Sequence, residues 1–175
     1  MLPVHLARAL AIVFVAALVA MSLPAAARPW QGITPGESTQ ADVVKRFGEP
    51  STQGKIGDRG ALVYREEQAI NGTRQAQFFT RADGVVDEIT VFPAAELDRE
   101  SVEGTYGKSG QKTFTDDFKP VWVYRSLGVM VFFGKDGFVE AIRFEVPRAG
   151  KSRAVSSGVA PAQRGAAPAD AKPER

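Results

Sequence analysis

Any chemistry in this chain has to be built without the usual bases and nucleophiles. The only histidine is His5, and there is no cysteine. His5 falls inside a segment that reads as an export signal, so a processed chain would hold neither residue type. Ser-His-Asp and Cys-His catalysis are then excluded. So is an ordinary zinc, copper or haem site. Paired carboxylates, a lysine nucleophile and a metal held by oxygen ligands remain.

The paired carboxylates are Glu66-Glu67 and Asp116-Asp117. Adjacent strand residues point to opposite faces, so Glu66 and Glu67 are poorly placed to share a substrate. Asp116-Asp117 sits between Phe114 and Phe118, ahead of Lys119-Pro120, and reads as a loop. A catalytic acid needs a shielded site that tunes its pKa, and solvated loop charge is the simpler reading of both pairs. Asp83-Gly84 and Asp136-Gly137 lack the further acidic spacing of a calcium loop and sit where a hairpin must turn. Gly107-Lys108-Ser109 resembles the end of a phosphate-binding loop. Val102 stands where that motif needs its first glycine, and the segment ends a helix instead of starting one. Lys135 to Val139 has the wrong aromatic spacing for an RNA-recognition strand. The expectation is no catalytic residue, no cofactor, no metal and no nucleic acid.

Surface recognition is what remains. Trp122 and Tyr124 share one strand face, with Tyr64 as the counterpart of Tyr124 and Arg65 as the counterpart of Arg125. Tyr, Trp and Arg are enriched at binding hot spots. Tyr64, Arg65, Trp122, Tyr124 and Arg125 are therefore the candidate interaction surface. The competing reading makes the aromatics plain core, because Val63 and Val123 hold the opposite parity and either set could face inward.

The elements that position these residues begin after residue 27. Arg8 precedes an uncharged apolar run, Ala9 to Leu23, followed by Pro24 and Ala25-Ala26-Ala27. At ~1.5 Å per residue such a run falls short of a ~30 Å hydrocarbon core. The pattern reads as a secretory signal peptide over 1–27, cleaved after Ala27. No cysteine follows the run, so lipid anchoring is not expected, and the chain should be periplasmic or secreted. Residues 148–175 are rich in Ala, Pro, Gly and Ser and lack aromatics. They carry Arg148, Lys151, Arg153, Arg164, Lys172 and Arg175 against Asp170 and Glu174. This composition predicts a disordered basic tail. Its charge also suits weak contact with an anionic membrane or cell wall.

The middle of the chain repeats itself. Thr39–Gly48 is similar to Asp98–Gly107, and Leu62-Val63-Tyr64-Arg65 to Trp122-Val123-Tyr124-Arg125. Phe78-Phe79 matches Phe132-Phe133, Asp83-Gly84 matches Asp136-Gly137, and Val85–Ile89 matches Phe138–Ile142. Thr39 and Asp42 make a capping-box pattern, and Asp98 caps the second helix with Leu97 free to staple onto Val102. Leu62–Gln68 and Val121–Leu127 are β-rich. Asn71-Gly72 and the Asp-Gly pairs mark hairpin turns. In the last strands Val85, Ile89 and Val91 share one parity, as do Phe138, Ile142, Phe144 and Val146. Glu88, Thr90, Arg143 and Glu145 lie on the other, wetter side. The predicted fold is α+β: two tandem helix-plus-three-strand units, over 28–93 and 94–147, forming one antiparallel sheet with helices packed on one face.

The run from Ile33 through Gly36, Ser38, Val43 and Phe47-Gly48-Glu49-Pro50, followed by Leu62-Val63-Tyr64, resembles the BamE (SmpA/OmlA) family. The doubled unit resembles the wider β-lactamase-inhibitor-protein-like superfamily. The resemblance covers roughly residues 33–147. It implies a noncatalytic envelope protein that binds another protein. The expected function is an exported interaction module of the cell envelope with a protein partner. A carboxylate-dependent cell-wall hydrolase and an envelope anchor acting through the basic tail are the alternatives.

Overall fold

A computed structural model describes residues 27–147. The expected signal peptide other than Ala27, and the expected disordered tail over 148–175, lie outside the described residues. The chain runs α1 (Gln40–Phe47), β1 (Thr52–Ile56), β2 (Arg59–Arg65), β3 (Thr73–Thr80), β4 (Val86–Pro93), α2 (Arg99–Tyr106), β5 (Gln111–Phe114), β6 (Pro120–Tyr124), β7 (Val129–Phe133) and β8 (Val139–Glu145). The eight strands form one antiparallel sheet in the order β1-β2-β3-β4-β8-β7-β6-β5.

This corrects the predicted helix-plus-three-strand units. Four strands follow each helix, and they belong to a single eight-stranded sheet. The two strands that went unseen are its edges. β1 reads Thr-Gln-Gly-Lys-Ile and is exposed along its whole length; β5 reads Gln-Lys-Thr-Phe and is nearly so. Neither has a buried face to create alternation. Lys55 and Lys112 and the short strand lengths are the features that keep sheet edges from pairing with other chains. The predicted strand ends also move. Glu66–Gln68 and Arg125–Leu127 each close into a single 3-10 turn.

α1 forms because its first turn is satisfied locally. Thr39 Oγ1 accepts the Asp42 N–H at 3.3 Å, and Asp42 Oδ2 accepts the Thr39 N–H at 2.8 Å. Gly48 ends the helix, its N–H bonding back to Val44 O at 2.8 Å. At the start of α2, Asp98 Oδ1 accepts the Ser101 N–H at 2.8 Å. The Thr39 N–H and hydroxyl hold the Asp42 carboxyl below its usual range. A depressed folded-state pKa gives stability that is complete above the unfolded value and drains as pH falls through the folded one. Asp42→Ala is therefore expected to flatten the acid limb of a stability-versus-pH curve. Thr39→Ala should cost about 1 kcal/mol at neutral pH, read by urea unfolding.

Both helices lie on one side of the sheet. Val43 and Val102 are buried in a core with Leu62, Tyr64, Phe78, Ile89, Trp122, Val131, Phe133 and Ile142. Phe78 is the hub of its aromatic part, with ring centroids 5.7 Å from Phe47, 5.7 Å from Tyr64 and 5.9 Å from Trp30. Register shifts between Phe79 and Thr80 and between Phe132 and Phe133 reset the alternation. As a result Val139 is buried whereas Phe138 is partly exposed, against the parity predicted for Phe138. At the β7 entry, Gly128 has φ +63, and a Cβ there would collide with the Glu145 carbonyl oxygen.

Candidate functional site

The described helices pack on one face of the sheet, and the opposite face is built in a single row. Cross-strand registers place Val63, Gln77, Thr90, Arg143, Met130 and Val123 side by side from β2 to β6. The middle of the row is polar and buried: Thr90 is 2% exposed and Arg143 8%. To one side lies a second apolar cluster of Val121, Met130, Phe132 and Ala141, with Phe92 and Val123 packed against it. To the other lies a cavity of about 280 Å³, lined by Ile56, Arg59, Ala61, Val63, Gln77, Phe79, Glu88 and Arg143.

An ion-pair array joins the two halves. Arg59 Nη2 donates to Asp87 Oδ1 at 2.7 Å and Arg59 Nη1 to Glu88 Oε2 at 3.3 Å. Arg143 Nε stands 3.3 Å from Glu88 Oε1, close enough for an ion pair but without a directed hydrogen bond. The Thr90 hydroxyl donates to the same Oε1 at 3.2 Å. The guanidiniums lie over aromatic rings, Arg59 at 4.8 Å from the Phe79 centroid and Arg143 at 5.3 Å from that of Phe132. Burial opposes the Arg59 charge, but the Asp87 hydrogen bond and the field of Glu88 outweigh it and raise its pKa. The array has a structural task too. Glu88 and Glu145 are directly opposite in the β4–β8 register, a like-charge pair that is unfavourable across strands.

The residues expected to form an interaction surface divide in two. Tyr64, Trp122 and Tyr124 lie on the helix side and are 0%, 5% and 3% exposed, so they are core. Trp122 packs on Phe133 with centroids 4.9 Å apart, and the Lys112 ammonium stands 4.3 Å from its ring centre. Tyr124 packs on Tyr106 at 5.4 Å. Arg65 and Arg125 are exposed, and Arg125 donates to Gln111 Oε1 at 2.9 Å. The five residues do not form one surface. The carboxylate pairs do not form one either. Glu66 and Glu67 sit exposed on a 3-10 turn, and Asp117 accepts from the Thr115 hydroxyl within its own loop. Among the described residues no three acidic or histidine side chains gather as a metal site would require.

The two repeat-related tyrosines differ in a testable way. The Tyr64 hydroxyl donates to Gly48 O at 2.8 Å, tying β2 to the end of α1. The Tyr124 hydroxyl is buried without an acceptor. Burial raises the pKa of both phenols. Tyr64→Phe should cost about 1 kcal/mol, the net worth of one hydrogen bond. Tyr124→Phe removes an unsatisfied polar atom and should leave stability equal or higher. Urea unfolding of the two variants side by side is the check.

Arg59, Glu88 and Arg143 were not singled out from sequence. The wetter parity of Glu88, Thr90 and Arg143 was visible, but nothing in it said that these side chains are buried. Arg59 follows the β1–β2 turn, whose only local signal is Gly57-Asp58 after the polar, fully exposed β1.

No family model matches the chain, and no curated protein matches it. Among solved structures it is similar to a DUF4309 family protein (YjgB) from Bacillus subtilis, at 21% identity, over 67% of this chain and 86% of that one, with a TM-score of 0.47. That likeness is too slight to carry an argument about function.

Proposed function

We propose that this chain is an exported, noncatalytic protein-binding module of the cell envelope, and that it docks its partner on the helix-free face of the sheet. The observation that carries this reading is the pairing of an apolar cluster with a partly buried two-arginine, two-carboxylate array on the sheet face turned away from the described helices. Interface centres combine apolar contact with aromatic and arginine groups in the same way. The signal-like segment over 1–27 and the BamE-like run over Ile33–Pro50 support the address and the class.

Photo-crosslinking in the producing cell tests it. A photoreactive residue at Val63 or Val123, both half-buried on the open face, is expected to capture one protein. The same residue at exposed Glu100 on α2 is expected to capture none. Equal labelling from both faces, or none from Val63 and Val123, would sink the assignment.

A further inference from the structure

Among the described residues, the most exposed large apolar side chains are Phe118 at 85% and Phe114 at 64%, and both belong to the β5–β6 hairpin. The hairpin holds Phe118 at a cost. Phe118 has φ +58, a left-handed conformation that a bulky side chain rarely takes. Such strain persists only where the surroundings fix it, and it gathers at binding and switch sites. Here the buried Thr115 fixes it. The Thr115 N–H donates to Lys119 O at 2.9 Å, and the Phe118 N–H donates to Thr115 O at 2.9 Å. The Lys119 N–H donates to Thr115 Oγ1 at 3.0 Å, and the Thr115 hydroxyl donates to Asp117. The tip is thus closed by its own hydrogen bonds and presents a phenyl ring to solvent.

A receptor of matching character lies beside it. β4, β5 and β7 run in one direction, so the segments that follow them share one end of the sheet. The segments after β4 and β7 border a cleft of about 680 Å³ there. Pro93, Ala94, Ala95, Phe138 and Val139 give it apolar walls, and Lys119, next to Phe118 in the chain, also lines it.

Charge distinguishes the two features. The tip is acidic. Asp116 is exposed and has no partner among the described residues, Asp117 is held by Thr115, and the Lys119 charge is met by Glu140 at 2.8 Å. In the cleft, acids and bases balance in number, but the cations are the freer. Lys135 is exposed and unpartnered among the described residues, and Arg74 bonds Pro93 O through Nε alone. Glu140 is paired with Lys119, Asp136 accepts the Phe138 N–H at 3.1 Å, and only Glu96 is an open carboxylate. An acidic tip suits a bilayer poorly, because its carboxylates would enter the hydrocarbon with it. A knob and a cleft of complementary character on one surface suit an isologous contact, in which each is used twice about a two-fold axis.

We propose that two copies of this chain associate end to end, each seating Phe118 in the other's cleft and setting Asp116 against Lys135. The contact is separate from the docking face described above and does not depend on it.

Sedimentation velocity over a micromolar-to-millimolar series, on the chain as purified from its producing cell, tests it. The expected result is a reversible monomer–dimer equilibrium. Phe118→Ala and Phe118→Gly should each weaken that equilibrium at least about tenfold. Their urea midpoints, measured at monomer concentrations, should be unchanged for the alanine variant and equal or higher for the glycine variant, which relieves the φ. Asp116→Lys alone and Lys135→Asp alone should each weaken association about tenfold, and the two combined in one chain should restore most of it. A chain that stays monomeric at millimolar concentration overturns the proposal. So does a dimer indifferent to Phe118, which must form elsewhere. A charge swap without recovery overturns the Asp116–Lys135 pairing. Phe118-dependent co-sedimentation of a monomer with phosphatidylcholine vesicles makes the tip a membrane contact instead.

Discussion

Glu88→Ala should destabilise the protein by about 3–5 kcal/mol, because it leaves a buried guanidinium without its counter-charge. Glu88 accepts from Arg59 and Thr90 and pairs with Arg143, whose side chain is 10% exposed. Deleting the carboxylate does not return Arg143 to water; the strands on either side hold it in place. Asp87 still serves Arg59, so the damage should centre on Arg143. A second substitution separates charge from packing. In Glu88→Met combined with Arg143→Met the uncompensated charge is gone, and most of the loss should be recovered, as is common when a buried pair is replaced by apolar groups of similar volume. Urea unfolding at neutral pH measures both. A Glu88→Ala cost under about 1 kcal/mol would mean that the array is screened like a surface pair. A double variant no better than the single would mean that the charges are needed for the packing itself.

Phe78→Ala should cost a similar amount, about 3–5 kcal/mol, for a different reason. Phe78 is fully buried, and its ring meets those of Trp30, Phe47 and Tyr64. It thus joins β3 to α1, to β2 and to the segment ahead of the helix. Truncation opens a cavity among rings held by three different elements, which cannot close together. Phe118→Ala is the matched control. Phe118 is 85% exposed on the β5–β6 loop, and its loss should fall within about 0.5 kcal/mol. If the two variants unfold at the same urea concentration, Phe78 is not the hub of the core.

Much of the chain's local grammar was readable. The Thr39–Asp42 and Asp98 caps are signals that act within a few residues, and each appears in the structure where the sequence places it. The edge strands were not readable, because a strand with no buried side leaves no periodic trace. The facing of Trp122 and Tyr124 was undecidable from parity alone. Both sides of β6 are apolar: Trp122 and Tyr124 fill the helix side, and Val121 and Val123 fill the other. The parity rule reports only that one side is wetter, and here the difference is one of degree. The shift between Phe132 and Phe133 then broke the extrapolation to Phe138. Arg143 was hidden for a related reason. Its letter says surface, while its register beside Thr90 and Met130 puts it at the sheet's centre.

The strand order has a consequence for how the molecule can come into being. Counting along the chain, β8 is last; counting across the sheet, it is interior, between β4 and β7. Every other neighbouring pair is a hairpin between consecutive strands, which can close as soon as its residues are available. The β4–β8 seam, where Ile89 meets Phe144 and Val91 meets Ile142, must wait for the end of the domain. Until then β4 presents an open edge with Ile89 and Val91 beside it, the kind of edge that recruits strands from other chains. Such late, distant pairing is also slow. A chain that emerges N-terminus first therefore passes through a stage in which it is long enough to aggregate and too short to finish. Anything that shields the β4 edge during that interval would govern its yield more than its final stability does.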